Sequence, residues 1–209
     1  MKNISKYRLI VGLGNPGRQY AFTYHNIGQL TMDYLIKKTA ETMTFIQKGK
    51  QKKFEFFKFT NSRDLIFIKA LTFMNETGEA VAASLEYFSA FGGKIDPKEI
   101  LIIHDDSDIE LGKSKFSFGR EAAGHHGVES IIKNLKTKNF WRLRIGIRHK
   151  TQINADQDAD KRGLNISTNQ RGNQHKSAPK RKKAEELVLK NINPADKLVL
   201  DKFFTNLEI

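Results

Sequence analysis

The groups in this chain that can do acid–base chemistry fall in four places, each beside a glycine turn or at the end of an apolar run. Asn15 stands in Gly12-Leu13-Gly14-Asn15-Pro16-Gly17, with His25 and Asn26 soon after it. Thr72-Phe73-Met74-Asn75 follows an apolar run at 65–69, His104-Asp105-Asp106 closes another at 100–103, and Gly124-His125-His126-Gly127 precedes a helical pattern. Brought together, these supply an imidazole, carboxylates and side-chain amides, a set suited to proton transfer and to hydrogen bonding of a polar substrate. Each cluster alone is weak evidence, because a lone histidine is usually a surface or satisfied core residue and an aspartate at a strand end is often only a turn cap.

The chain contains no cysteine, which excludes disulfides, thiolate-held metals and a thiol nucleophile. No H-x-x-x-H or comparable spacing links the histidines to Asp105 and Asp106, so neither a metal nor another cofactor is expected. The glycine turn matches G-x-G-x-x-G after a predicted strand, the pattern of a dinucleotide-binding fold. Its context disagrees: Gly17 is followed by Arg18 to Asn26 with no apolar helical repeat until Ile27, and no acidic residue ends a second strand. Asn15-Pro16 demands instead a sharp turn that holds the Asn15 amide at the C-terminal edge of a strand, where ligands bind in open α/β sheets.

The elements that must position these groups alternate. Apolar runs predict strands at 7–13, 54–59, 65–69, 100–105, 115–118 and 142–147, and helical spacing predicts helices at 27–39, 78–88 and 128–135. This order predicts one α/β domain, a three-layer sandwich with a mixed, mostly parallel sheet flanked by helices. With 209 residues, 39% of them hydrophobic, there is material for one sizeable core.

The formal net charge is +13, from 36 Lys plus Arg against 23 Asp plus Glu, so an acidic partner of nucleic-acid type is expected. Residues 161–183 hold eight of the basic residues and no acid, ending in Lys180-Arg181-Lys182-Lys183. The stretch 151–183 lacks aromatics and cannot bury enough apolar surface to offset its ordering entropy, which predicts a disordered insert. It reads either as a solvated loop or as a flexible arm adding phosphate contacts. A short C-terminal helical segment is expected beyond it, at 184–190 and 194–204. No apolar run approaches a membrane span, and the first six residues are too short and polar for a leader, so a cytoplasmic location is expected.

Taken in order, the glycine turn, Tyr20, Thr23, His25-Asn26-Ile27-Gly28, Thr72-Phe73-Met74-Asn75, His104-Asp105, Gly124-His125-His126-Gly127 and Arg142-Leu143-Arg144-Ile145-Gly146-Ile147 resemble the bacterial-type peptidyl-tRNA hydrolases. The similarity covers residues 7–148 and resumes weakly near Val188. It implies hydrolysis of the ester joining a peptide to the 3′ ribose of tRNA. On this resemblance His25 is the general base that draws a proton from water, and Asp105 holds its tautomer and stabilises the imidazolium. Asn15 and Asn75 are the amides that bind the peptide carbonyl and the water, with Met74 beside them. Tyr20 and Phe73 line the slot for the terminal nucleotide and peptide, and Lys113, Lys115 and Arg144 meet tRNA phosphates. His126 also belongs to the substrate site, standing where the family usually carries Asn. The family usually has Arg at the position of Tyr24 and a second basic residue at that of Ser117.

Direct attack by water agrees with the residues themselves, since no serine stands in a G-x-S-x-G elbow. The implied partner is peptidyl-tRNA, met by a monomer with transient ribosome association and no membrane. The alternative is a non-catalytic RNA-binding relative of the same fold. A pure binder has no need of a base–carboxylate pair, which disfavours it.

Overall fold

The computed structural model describes residues 4–61, 63–151, 153–154 and 186–207. Its centre is β1 (Leu9–Gly12), buried at all four positions. That is the signature of a strand covered on both faces, which reads as a continuous apolar run rather than an alternating one. β4 (Asp64–Ala70) and β5 (Ile100–Glu110) flank β1 in parallel, and β7 (Trp141–Arg148) adds to β5 in parallel. The two edges are antiparallel: β3 (Phe54–Thr60) and β2 (Thr44–Lys50) beyond β4, and β6 (Ser114–Phe118) beyond β7. The order is β2-β3-β4-β1-β5-β7-β6, a seven-stranded mixed sheet whose parallel pairings are confined to its four middle strands.

β2 is the strand that periodicity missed among the described residues. Six of its seven residues are exposed, so it carries no buried alternation to detect. Lys48 and Lys50 charge this edge, a common guard against pairing with another chain.

Successive residues of the middle strands feed opposite faces of the sheet. Ile10, Leu101 and Ile103 pack with Ile27, Met32 and Leu35 of α1 (Ile27–Thr39) and with Leu200 and Phe204 of α4 (Pro194–Thr205). Leu9, Val11, Ile100 and Ile102 pack on the other side with Ala80 and Val81 of α2 (Thr77–Gly92) and Val128 and Ile131 of α3 (His126–Leu135). The result is the expected three layers. Residues 150, 151, 153 and 154 are helical, with the Ile153 N–H donating to the His149 carbonyl at 3.2 Å, so the expected disordered insert does not begin at 151. The basic run at 180–183 and the rest of that insert beyond residue 154 lie outside the described residues. So do residues 184 and 185 of the expected C-terminal helix, of which 186–188 are helical.

Two glycines let α1 approach the sheet closely. A Cβ on Gly28 would sit 2.4 Å from the Ile103 carbonyl oxygen and 2.5 Å from that of Leu13, and one on Gly12 would sit 2.2 Å from Met32 Cγ. Because the obstacles at Gly28 are backbone, Gly28→Ala must lift the helix. The expected outcome is a destabilisation of about 1–3 kcal/mol, read from the urea midpoint.

Candidate active site

Asn15, His25, the 73–75 segment and Asp105 lie toward the C-terminal side of β1, β4 and β5. His25, Asp105 and His126 line one cleft, and Asn15, Tyr20, Phe73, Met74 and Asn75 are not part of its lining. Asn15 lies just past β1. Phe73, Met74 and Asn75 follow β4, with residues 74–76 forming a single 3-10 turn, and Asp105 is on β5 itself. His25 is carried by another such turn, Tyr24–Asn26, immediately before α1. The third glycine of the G-x-G-x-x-G match opens a single 3-10 turn, Arg18–Tyr20, rather than an α-helix. The dinucleotide-binding geometry is therefore not formed.

At the centre is Asp105, 3% exposed. Its Oδ1 lies 2.8 Å from His25 Nδ1 and 3.0 Å from His125 Nε2. His125 Nδ1 faces the Val128 N–H at 3.4 Å and so acts as acceptor there, which places the His125 proton on Nε2, donating to Asp105. The same reasoning gives His25 its proton on Nδ1 and leaves Nε2 as the basic lone pair, on a ring that lines an open cleft. The deep burial of Asp105 alone would push its carboxyl up. The positive charge that His125 or His25 brings when protonated, and the hydrogen bonds they donate, outweigh that and hold it well below the usual carboxylate range.

His104 completes the group from behind. Its Nδ1–H donates to the Asp105 carbonyl at 2.7 Å, and its ring meets that of His125 edge-on at 4.6 Å. Burial, and next the neighbouring His125, keep its pKa well below the ordinary imidazole value, so it stays neutral. His25, Asp105 and His125 each offer one ligand atom within 4.8 Å of the others, the geometry in which a metal could be held. Here those three atoms already satisfy one another as two N–H donors on one carboxylate oxygen.

Asn15 is locked by three hydrogen bonds. Its N–H donates to Asn26 Oδ1 at 2.8 Å, its carbonyl accepts from Asn26 Nδ2 at 2.9 Å, and its Oδ1 accepts from the Met74 N–H at 2.8 Å. With Oδ1 engaged, the amide offers its NH₂ as donor. Met74 is buried, a Cβ on Gly127 would lie 2.5 Å from its sulfur, and it serves Asn15 through its backbone N–H. Asn75 is exposed. Phe73 is 50% exposed and meets Tyr20 edge-on, with ring centroids 6.4 Å apart. His126 opens α3 and faces Glu129 at 3.4 Å.

A cleft of about 980 Å³ runs from His25 and Asp105 over β6 and β7. Register pairs Lys115 with Arg144 and Ser117 with Arg142, so the two-residue period of each strand puts all four on one face. Arg144 Nε donates to Asp106 at 2.6 Å, and Arg142 is buried with its guanidinium donating to the Glu121 carbonyl at 3.1 Å. Lys113 lies outside the cleft, paired with Glu110 at 2.8 Å. Arg120 and Lys138 line the cleft as well.

A family model described as peptidyl-tRNA hydrolase matches residues 9–162. The chain belongs to the peptidyl-tRNA hydrolase family. Among relatives, it is 42% identical over 140 residues to a peptidyl-tRNA hydrolase of Mesoplasma florum, covering 67% of this chain and 71% of that one. It is 41% identical over 142 residues to one of Lactobacillus johnsonii, covering 68% and 72%. A crystal structure of peptidyl-tRNA hydrolase from Acinetobacter baumannii superposes with a TM-score of 0.68 at 25% identity, over 98% of this chain and 86% of that chain. A peptidyl-tRNA hydrolase complex with n-propanol gives 0.70 at the same identity and coverage.

His25 and Asp105 stand out in the sequence through the family resemblance, whereas the groups that complete them do not. His125 and His104 stand in the sequence as polar residues beside a glycine turn and an apolar run, with nothing in their spacing to pair either one with Asp105. Asn26 ties the histidine loop to Asn15 through two hydrogen bonds across 11 residues, which its place next to His25 does not signal. The alternation Arg-Leu-Arg-Ile puts Arg142 and Arg144 on one face of a strand, so Arg142 is legible beside Arg144.

Proposed function

We propose that the protein hydrolyses the ester between a peptide and tRNA, with His25 as general base toward water. The observation that carries this reading is the His25 Nδ1 to Asp105 contact of 2.8 Å, which orients the ring and leaves Nε2 unprotonated beside an open cleft. As Nε2 takes the proton of the attacking water, the Asp105 carboxylate stabilises the imidazolium. Asn15 donates its NH₂ to the carbonyl of the peptide, Asn75 and His126 hold the water and the acyl group, and Met74 keeps Asn15 in place. Tyr20 and Phe73 stack against the terminal nucleotide and peptide. Lys115 and the terminal guanidinium nitrogens of Arg144 meet phosphates along the cleft, and Lys113, outside it, meets a phosphate beyond the cleft. The substrate is taken up by a monomer in the cytoplasm, with transient ribosome association. No helix among the described residues is long and apolar enough to cross a membrane.

The test is release of N-acetylated amino acid from its tRNA by the purified protein, beside His25→Ala. Tight tRNA binding without turnover would turn the reading toward a binding protein. Asn15→Asp replaces the NH₂ donor with a carboxylate that repels a carbonyl. The expected result is a loss of preference for N-acetylated over free aminoacyl-tRNA, on the order of ten-fold or more. Unchanged selectivity would remove Asn15 from this role.

A further inference from the structure

His25 is preceded by Tyr24, a buried tyrosine whose hydroxyl donates to Asp196 Oδ2 at 2.5 Å. Asp196 lies in the first turn of α4, is 4% exposed, and also faces His149 Nε2 at 3.0 Å through its other oxygen. One buried carboxylate thus joins the histidine loop, the chain just past β7 and the C-terminal helix. Asn193 caps α4 by accepting from the Asp196 N–H at 2.9 Å and stands 3.4 Å from the Tyr24 hydroxyl. Burial, and next the hydrogen bond to Asp196, push the Tyr24 hydroxyl up to about 12, so it remains a donor at any working pH.

The backbone follows the same path. The Tyr24 N–H donates to the Lys190 carbonyl at 3.2 Å, the Ile192 N–H donates to the Phe22 carbonyl at 2.8 Å, and Thr23 and Asn191 form an antiparallel bridge. The loop bearing His25 is therefore held from two sides. Asn26 ties its front to Asn15, and Tyr24 ties its back to α4. A hydrogen bond that must place an imidazole nitrogen against Asp105 gains from both, because an error of about 1 Å in a catalytic group can cost on the order of a hundred-fold in rate.

We propose that Tyr24 and Asp196 are positioning residues for His25, through which the C-terminal helix holds the general base against Asp105. This rests on His25 being the base. The variants are Tyr24→Phe, which removes one oxygen, Asp196→Ala, and Asp196→Asn, whose amide can accept from Tyr24 and donate to His149. Each is measured for kcat and KM on N-acetylaminoacyl-tRNA, for thermal melting, and for the low-field proton resonance of His25 Nδ1–H, identified by its loss in His25→Ala.

The expected result is a roughly ten-fold fall in kcat for Tyr24→Phe and Asp196→Ala at temperatures where both are folded, with KM changed by less than about two-fold. The resonance moves or broadens in both, and Asp196→Asn recovers most of each signal. Wild-type kcat in folded Tyr24→Phe, or a loss of kcat that follows only the unfolded fraction, overturns the proposal. If the wild-type protein shows no turnover, the functional reading fails by itself and the resonance decides. Displacement of that resonance in Tyr24→Phe upholds the positioning link, and an unchanged resonance overturns it.

Discussion

Replacing His25 with alanine is expected to lower kcat for N-acetylaminoacyl-tRNA by about 10²–10⁴-fold, the usual worth of a positioned general base. The chain should still fold, because Asp105 keeps the His125 N–H at 3.0 Å and is not left as a bare buried charge. KM should change little, since the basic side chains of β6 and β7 that line the cleft are untouched. Steady-state kinetics with a thermal melt on the same preparation check both halves. A variant that melts like the wild type and keeps its kcat would remove His25 from the chemistry.

Asp105→Asn is expected to cost about as much, roughly 10²–10⁴-fold in kcat, for a different reason. The amide can still accept a hydrogen bond from His25, but it carries no charge to stabilise the imidazolium, and its NH₂ can favour the wrong tautomer. The same carboxylate should leave a mark on stability. Its folded pKa lies below its unfolded value, because the positive charge of His125 and His25 when protonated, together with their N–H donors, outweighs its burial. Its contribution is therefore fully present above the ordinary carboxylate pKa of about 3.9 and is lost as pH falls below that toward the folded value. Thermal melts taken from neutral to acid should show the wild-type protein losing stability more steeply below about pH 4 than Asp105→Asn does. Parallel curves for the two proteins would show that Asp105 carries no such linkage.

The residues themselves determined the α/β layering, because strands covered on both faces must be apolar throughout and helices covered on one face must repeat at helical spacing. The resemblance to the peptidyl-tRNA hydrolases singled out His25, Asp105 and Asn15, whereas the residues alone offered polar clusters beside apolar runs, which an open α/β sheet gathers toward its C-terminal edge. What remained open depended on partners distant in sequence. Asp105 receives His25 across 80 residues and His125 across 20, and a histidine that hydrogen-bonds a carboxylate reads in sequence like one that coordinates a metal. Tyr24 meets Asp196 across 172 residues, so no local pattern could join them. The basic floor of the cleft needed the β6–β7 register, because which face Arg142 and Arg144 share with Lys115 is set by pairing rather than by composition. β2 stayed hidden for the opposite reason: an exposed edge strand is held by backbone hydrogen bonds to β3, and these leave no trace in its side chains.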